Sequence, residues 1–325
     1  MAPNASYDDI ITTTLENRRG EVADNISKNV ALYYKLKERG NIDPADGGRT
    51  LVEELEYAET TNFKWMTGYD TANVSAQQLF TAAEFQWKQA VAAVVVSGTD
   101  MIQNSGREAK IKLVSARISN AEKTIVNALG AACYADGTGS GGLEPGGLQY
   151  LVPADPTASS TIGGINQNTY SWWRSQLVDV SVDNLTASAA TIRRLLLKLR
   201  LLCTRNSDAP DLAVLDNVFY TYLQEAAAPL QVINNSKLAE LGFEAIKLAP
   251  GIEAVCDGAQ GGNCPTSTGY MINTKYLKFR PHQDYNIVPL GGDRFPYNQW
   301  ASTKLIGLAC NFTCSNRALQ GTLIL

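Results

Sequence analysis

Histidine is almost missing from this chain: His282 is the only one in 325 residues. That scarcity excludes most hydrolytic chemistry, because a serine or cysteine nucleophile would have a single candidate base, and no nucleophile stands at a recognisable spacing from it. His282, in FRPHQDYN, therefore reads as a structural histidine. The six cysteines, Cys133, Cys203, Cys256, Cys264, Cys310 and Cys314, include no Cys-x-x-Cys. With one histidine beside them they predict no metal site, and they read as buried reduced thiols. Cys256 and Cys264, which bracket the turn-rich DGAQGGN, are the one pair that could face each other across a hairpin. Charge is sparse, at 18% of residues with a net of -4, so the basic footprint of a sequence-reading nucleic-acid binder is absent. No run of about eighteen apolar residues occurs; the nearest, residues 90–96, is far too short, so no membrane span is expected. The opening MAPNASYDDII lacks the basic segment and apolar core of a secretory leader.

Two further patterns fall short of chemistry. The glycine-rich residues 137–147 lack the Lys-Ser/Thr ending of a P-loop and follow a helix instead of a strand, so they read as a flexible hinge. Glu53, Glu54 and Glu56, with Glu59 and Asp70, could be imagined as paired carboxylates. On a strand Glu54 and Glu56 share a face and Glu53 points away, so a solvated or interface-lining edge is the better reading. No catalytic residue, cofactor site or metal site is predicted.

What the chain does have is a long helical stripe. Ile111, Val114, Ile118, Ala121, Ile125, Ala128 and Ala132 recur at alternating three- and four-residue steps over residues 106–134. This predicts a rod roughly 40 Å long. Its alanines are too small for a zipper, and we read it as a spine against which a sheet packs, with Gly130, Ala131 and Ala132 admitting close approach. A bulky residue at Ala128 should then disturb folding.

Before the spine, residues 7–17 and the series Val22, Ile26, Val30, Tyr33 and Leu36 predict two helices. Leu51, Leu55 and Tyr57, and later Phe85 and Trp87, alternate with polar partners as strands do. Residues 58–81 between them are polar with Phe63, Lys64, Trp65, Met66 and Tyr69 near the tip, and hold little that could build a core. They predict a projecting hairpin that gains stability on a partner; the alternative is that its aromatic residues fold back on their own domain.

After the spine, residues 185–203 predict a helix with Ile192, Leu195, Leu196, Leu199 and Leu202 on one face and Arg193, Arg194, Lys198, Arg200 and Arg205 mostly off it. It reads as a helix packed on a sheet with a solvated cationic face; a membrane-surface or partner-binding helix is the sharper alternative. Strands at 212–215, 243–248, 254–256 and 271–273 alternate with a helix at 217–227, which suggests an α/β unit. The apolar 304–325 predicts two strands joined near Ser315 and Asn316, pairing beside the spine helix.

Several stretches, in order, resemble the major capsid (coat) proteins of tailed bacteriophages, whose Hong Kong 97-type fold is shared with encapsulins. VALYYKLKERGNI at 30–42 is similar to the end of that family's N-terminal arm, and GGRTLVEELEYAETTNFKWMTGYD at 47–70 to the entry of its extended loop. GGINQNTYSWWRSQ at 163–176 resembles its GGI(D/N)xxTYxWWRNx segment. DLAVLDNVFYTYLQEAAAPLQVI, LAELGFEAIKLAPGIEAVCD, GYMINTKYLKFRPHQDYN and the final NRALQGTLIL resemble the strands and helix that follow.

The resemblance implies an α+β Hong Kong 97-like capsid fold: N-terminal arm 1–46, extended β-hairpin loop 47–90, peripheral domain 91–140 with 285–325 on the spine helix, and axial α/β domain 141–284. It implies a shell subunit and not an enzyme, assembled in the host cytoplasm into an icosahedral virion head of hexamers and pentamers around double-stranded DNA held without sequence-specific binding. Inter-subunit contact would fall on the loop residues Phe63, Lys64, Trp65, Met66 and Tyr69. Portal, decoration and separate scaffold proteins are the implied partners, the last because little chain precedes the arm; an already processed chain is the alternative to a separate scaffold. An encapsulin-like compartment is the alternative of the same fold, and a soluble α/β enzyme using His282 is the alternative of another class.

Overall fold

The computed structural model describes residues 30–103, 107–181, 186–227, 245–249, 251–258, 262–291 and 299–325. The helix predicted at 7–17 and the start of the next lie outside the described residues. In chain order the elements are α1 (Ala31–Glu38), β1 (Thr50–Glu56), β2 (Phe80–Gln86), β3 (Lys88–Ser97), α2 (Gly98–Gln103), the spine α3 (Arg107–Ala132), β4 (Thr161–Ile162), β5 (Ile165–Asn166), β6 (Gln176–Asp179), α4 (Ile192–Leu202), β7 (Leu212–Leu215), α5 (Asn217–Ala227), β8 (Ala245–Ala249), β9 (Ile252–Cys256), β10 (Thr268–Ile272), β11 (Leu277–Pro289), β12 (Ala301–Cys314) and β13 (Gly321–Ile324).

Two sheets organise them. A three-stranded antiparallel sheet has the order β11-β12-β3, and a mixed six-stranded sheet has the order β6-β13-β10-β7-β9-β8. Every residue of β7 is buried, as a central strand covered on both faces requires. Leu212 and Val214 face one core, shared with α1, the spine, β1, β2 and the three-stranded sheet. Ala213 and Leu215 face a second core, closed by α4 and α5 through Ile192, Leu195, Leu199, Phe219 and Leu223. The last segment divides between the sheets: β12 pairs with β3 beside the spine, as expected, whereas β13 pairs with β10 and, in parallel, with β6. Residues 321–324 thus belong to the sheet of the 141–284 region, and grouping all of 285–325 with the spine does not hold. A 3-10 turn at Arg317–Leu319 carries the chain from one sheet to the other.

The spine keeps its predicted extent, but its stripe steps differently. Ile125, Leu129 and Ala132 are buried, Ile118 and Ala121 are half-buried against the first core, and Ala128 is exposed. A strict three-four alternation has a period of 3.5, whereas a straight helix turns every 3.6 residues, so after Ile125 the inward position moves to Leu129. The side chains of Ile111 and Val114 lie outside the described residues. Arg117 braces the helix, donating to the Val95 carbonyl at 2.6 Å and pairing with Asp100 at 3.1 Å.

Gly130 does admit a close approach, but of the arm. A Cβ there would stand 2.5 Å from Val30 Cγ2, and Ala131 is exposed. The glycine run after the spine is open in its middle, at Gly141 and Gly142, and packed at its end. Leu148 N donates to Cys133 O at 2.7 Å, and Gly147 N donates to Ala135 O at 3.0 Å. A Cβ on Gly147 would fall 2.2 Å from the Ala132 carbonyl oxygen, so glycine is required by contact with the helix end.

At that same end Tyr134 donates its hydroxyl to the buried carboxylate of Asp257, just past β9, and burial pushes Asp257 up to about 6. All six cysteines are thiols, and burial pushes Cys203, Cys310 and Cys314 up to about 12.

Two outcomes follow. In urea or thermal unfolding, Ala128→Phe should change stability by no more than about 0.5 kcal/mol, whereas Gly130→Ala should cost about 1–2 kcal/mol through the clash with Val30, despite alanine's better helix propensity. Because Asp257 is raised above its unfolded value, its neutral form stabilises the fold below about pH 4, and that contribution is lost as pH rises through about 6. Asp257→Asn should therefore match wild type near pH 4 and exceed it by about 1–3 kcal/mol above pH 6, as read from melts across that range.

Candidate functional site

β1 and β2 pair in antiparallel register from Thr50↔Gln86 to Glu56↔Phe80. Leu51, Glu53, Leu55, Ala83 and Phe85 turn inward and are buried, while Val52, Glu54 and Glu56 face out. The expectation of a solvated acidic edge therefore holds for Glu54 and Glu56 and fails for Glu53. The period of two that turns Glu53 away from its neighbours turns it into the protein. There it accepts from Arg280 Nη1 at 2.7 Å and Thr313 Oγ1 at 2.9 Å, so a buried charge is paired across to the three-stranded sheet. The hairpin root is fixed at a second point, where Tyr57 stacks on Trp172 with centroids 5.4 Å apart.

Beyond that root nothing from residue 57 to residue 80 is buried. The strands continue only as a polar ladder: Thr61 N donates to Gln77 Oε1 at 2.9 Å and Asn62 Nδ2 to Ser75 O at 2.8 Å. Phe63, Met66 and Tyr69 are exposed, Trp65 is 87% exposed, and Lys64 pairs with Asp70 at 3.4 Å. Phe63 and Trp65 meet only edge to face at 5.4 Å. The tip does not fold back on its own domain.

A second unfilled surface lies on the three-stranded sheet. Val91, Val95, Tyr285 and Val288 are exposed there. Beside them is a groove of about 500 Å³ lined by Trp87, Val91, His282, Tyr285, Leu290 and Gly307 among others. His282 lies between two aromatic rings, 5.4 Å from Trp87 and 5.0 Å from Tyr285, and its Nδ1 accepts from Asp284 N at 3.1 Å. None of the described residues lining the groove is a Ser, Cys, Asp or Glu. Among the described residues no group of His, Cys, Asp and Glu is placed to hold a metal.

No family model and no curated protein matches the sequence. Solved structures do match. The capsid of cyanophage A-1(L) is 13% identical with a TM-score of 0.68, covering 94% of each chain. The major capsid protein of phage G, solved with its decoration proteins, is 11% identical with a TM-score of 0.50, over 100% of this chain and 99% of that one. The holo encapsulin complex of Synechococcus elongatus PCC 7942 gives 9% and 0.54, over 94% and 92%. This chain has the tailed-phage capsid fold.

Within that capsid fold, the segments whose wording resembled the coat family are tied to one another by buried polar contacts that sequence reasoning did not foresee. Arg317, of NRALQ, is 0% exposed. It donates to Leu151 O at 2.6 Å, Trp173 O at 2.8 Å and Gln167 Oε1 at 3.0 Å, and its guanidinium carbon lies 5.5 Å from the Trp173 ring centroid. Burial brings the guanidinium down to about 10. Gln167 is held in turn by donating to Asp155 O at 3.1 Å and Ser160 Oγ at 2.7 Å. Three residues on, Gln320 accepts from Asn273 N at 2.9 Å and donates to Asn273 O at 3.1 Å, which joins NRALQ to INTKY. Nothing in the sequence around them marks these three as buried: Gln167 stands between Asn166 and Asn168, and Arg317 follows Ser315 and Asn316.

Replacing Arg317 by methionine would leave the Leu151 and Trp173 carbonyls buried without their donor. Arg317→Met should cost about 3–5 kcal/mol in chemical denaturation, and Arg317→Lys should recover only part, because an ammonium lacks the planar fork.

Proposed function

We propose that this chain is the subunit of an icosahedral virion head, assembling with copies of itself into hexamers and pentamers around double-stranded DNA. The observation that carries the reading is the tip at 57–80: a ribbon with no buried residue, displaying Phe63, Trp65, Met66 and Tyr69, on a chain with a capsid fold. Isolated two-stranded ribbons are marginal in water, and exposed aromatic clusters invite burial. The tip of one subunit would lie on the apolar face of its neighbour's three-stranded sheet, around Val91, Val95 and Val288. Both surfaces are nearly uncharged, so such contact carries little desolvation penalty.

The slight negative charge suits a wall that contains a polyanion without trapping it. The role is structural rather than enzymatic. Portal protein, a separate scaffold and decoration proteins complete the proposed partners, and assembly would take place in the host cytoplasm. The likeness to the encapsulin complex favours one second reading, a compartment around protein cargo, and the contents of purified particles separate the two.

Deleting residues 60–74 tests the contact. The shortened chain should keep the circular dichroism spectrum and melting behaviour of the full chain and form no shells by electron microscopy, with scaffold supplied if assembly needs it. Shells of ordinary stability from the shortened chain would show that the hairpin does not bridge subunits.

A further inference from the structure

The groove beside His282 is shaped by parts that hold one another in place. Residue 45 is tied along β11 on either side of His282, where Ala45 N donates to Pro281 O at 2.9 Å and Ala45 O accepts from Gln283 N at 3.1 Å. Gly47 and Gly48 follow in the lining with φ of +138° and +106°, values that L side chains rarely adopt, so this part of the lining stays bare. Trp87 is fixed beside them by donating its indole N–H to Gly48 O at 3.0 Å. His282 stands between that ring and Tyr285. Because its Nδ1 accepts from Asp284 N, the neutral imidazole carries its proton on Nε2, and among the described residues nothing accepts from that N–H. The face of an aromatic ring is a weak acceptor suited to such a donor.

We propose that this groove receives the Phe63–Trp65 ring pair from the hairpin tip of a second copy of the chain. The inference rests on the shell reading and deepens it, naming the side chains that enter and the place that takes them. Size fits, since about 500 Å³ falls within the range of about 300–1,000 Å³ that pockets for small ligands occupy. Charge fits as well. Lys64 pairs with Asp70 inside the tip, no other Asp, Glu, Lys or Arg occurs from 60 to 74, and the described residues lining the groove include none. Phe63 and Trp65 already meet edge to face, so little ordering remains to be lost when they enter together. Trp65 should contribute most, because a large rigid indole is the commonest anchor of an interface. Its own chain does not cover it, at 87% exposure, so the groove that takes it belongs to another copy.

Thiol cross-linking between full-length chains tests it. One chain carries Thr67→Cys, exposed and two residues on from Trp65, and the other carries Ala90→Cys, exposed in the groove lining. The two are mixed under assembly conditions, with scaffold supplied if assembly needs it, and treated with a short bismaleimide. Denaturing gels and mass spectrometry of the joined peptides identify the links. A link from 67 of one chain to 90 of another is expected. It should fall about tenfold when the first chain also carries Trp65→Ala, and likewise when the second also carries Tyr285→Ala. No link above that to a Leu201→Cys control, a link indifferent to Trp65→Ala, or a link found only within one chain bearing both cysteines would overturn the proposal. So would joining of Ala90→Cys to an added scaffold or decoration protein instead. Circular dichroism melts establish that the variants fold. Electron microscopy of the same mixture keeps the two readings apart: shells without the link sink the groove alone, and linked pairs without shells sink only the shell.

Discussion

The structure turns on one buried cation. Arg317 sits where the chain leaves β12 for β13, and its guanidinium holds the carbonyls of Leu151 and Trp173 and the amide of Gln167 at once. A planar fork with several donors can bind three acceptors from three directions, which a point charge on a flexible stem cannot. The consequence extends past the contacts themselves. Trp173 is fixed from both sides, because its indole N–H also donates to Ile162 O at 2.9 Å, and neighbouring Trp172 is the ring on which Tyr57 stacks. The orientation of the hairpin root thereby depends on a residue near the other end of the chain.

Two different means hold the hairpin, and they divide it. As far as residue 56 its inner face is apolar and buried, and the one charge there, Glu53, is neutralised by Arg280. Past that point the pairing of Asn62, Gln77 and Ser75 keeps the strands together without burying anything. Exposed hydrogen bonds of this kind contribute little net stability, so the tip belongs to the low-stability end of the molecule, free to take the shape of whatever covers it. On the shell reading, a fixed root and an uncovered tip would suit a segment that finds a neighbour and then conforms to it.

Much of this was legible in the sequence because it depends on local periodicity. The hairpin strands, the extent of the spine, the β7–α5 unit and the two C-terminal strands each announce themselves in runs of a few residues. What was illegible depends on contact between distant residues. Ala128 and Leu129 are both acceptable to a helical pattern, and only packing selects Leu129. Gly147 reads as part of a hinge until the carbonyls of Ala132 and Cys133 are seen where its side chain would go. Glu53 reads as surface until Arg280, more than two hundred residues away, is brought beside it. For the same reason β13 could not be assigned to its sheet: its short apolar run suits either sheet, and the turn held by Arg317 delivers it to β10 and β6.

The surfaces left unfilled share a character that bears on what fills them. The hairpin tip and the three-stranded sheet offer aromatic rings and valines with few charges, so their burial is governed by apolar area and shape and should be nearly indifferent to salt. On the shell reading, copies of a chain whose net charge is only -4 would meet through nearly neutral faces with little mutual repulsion.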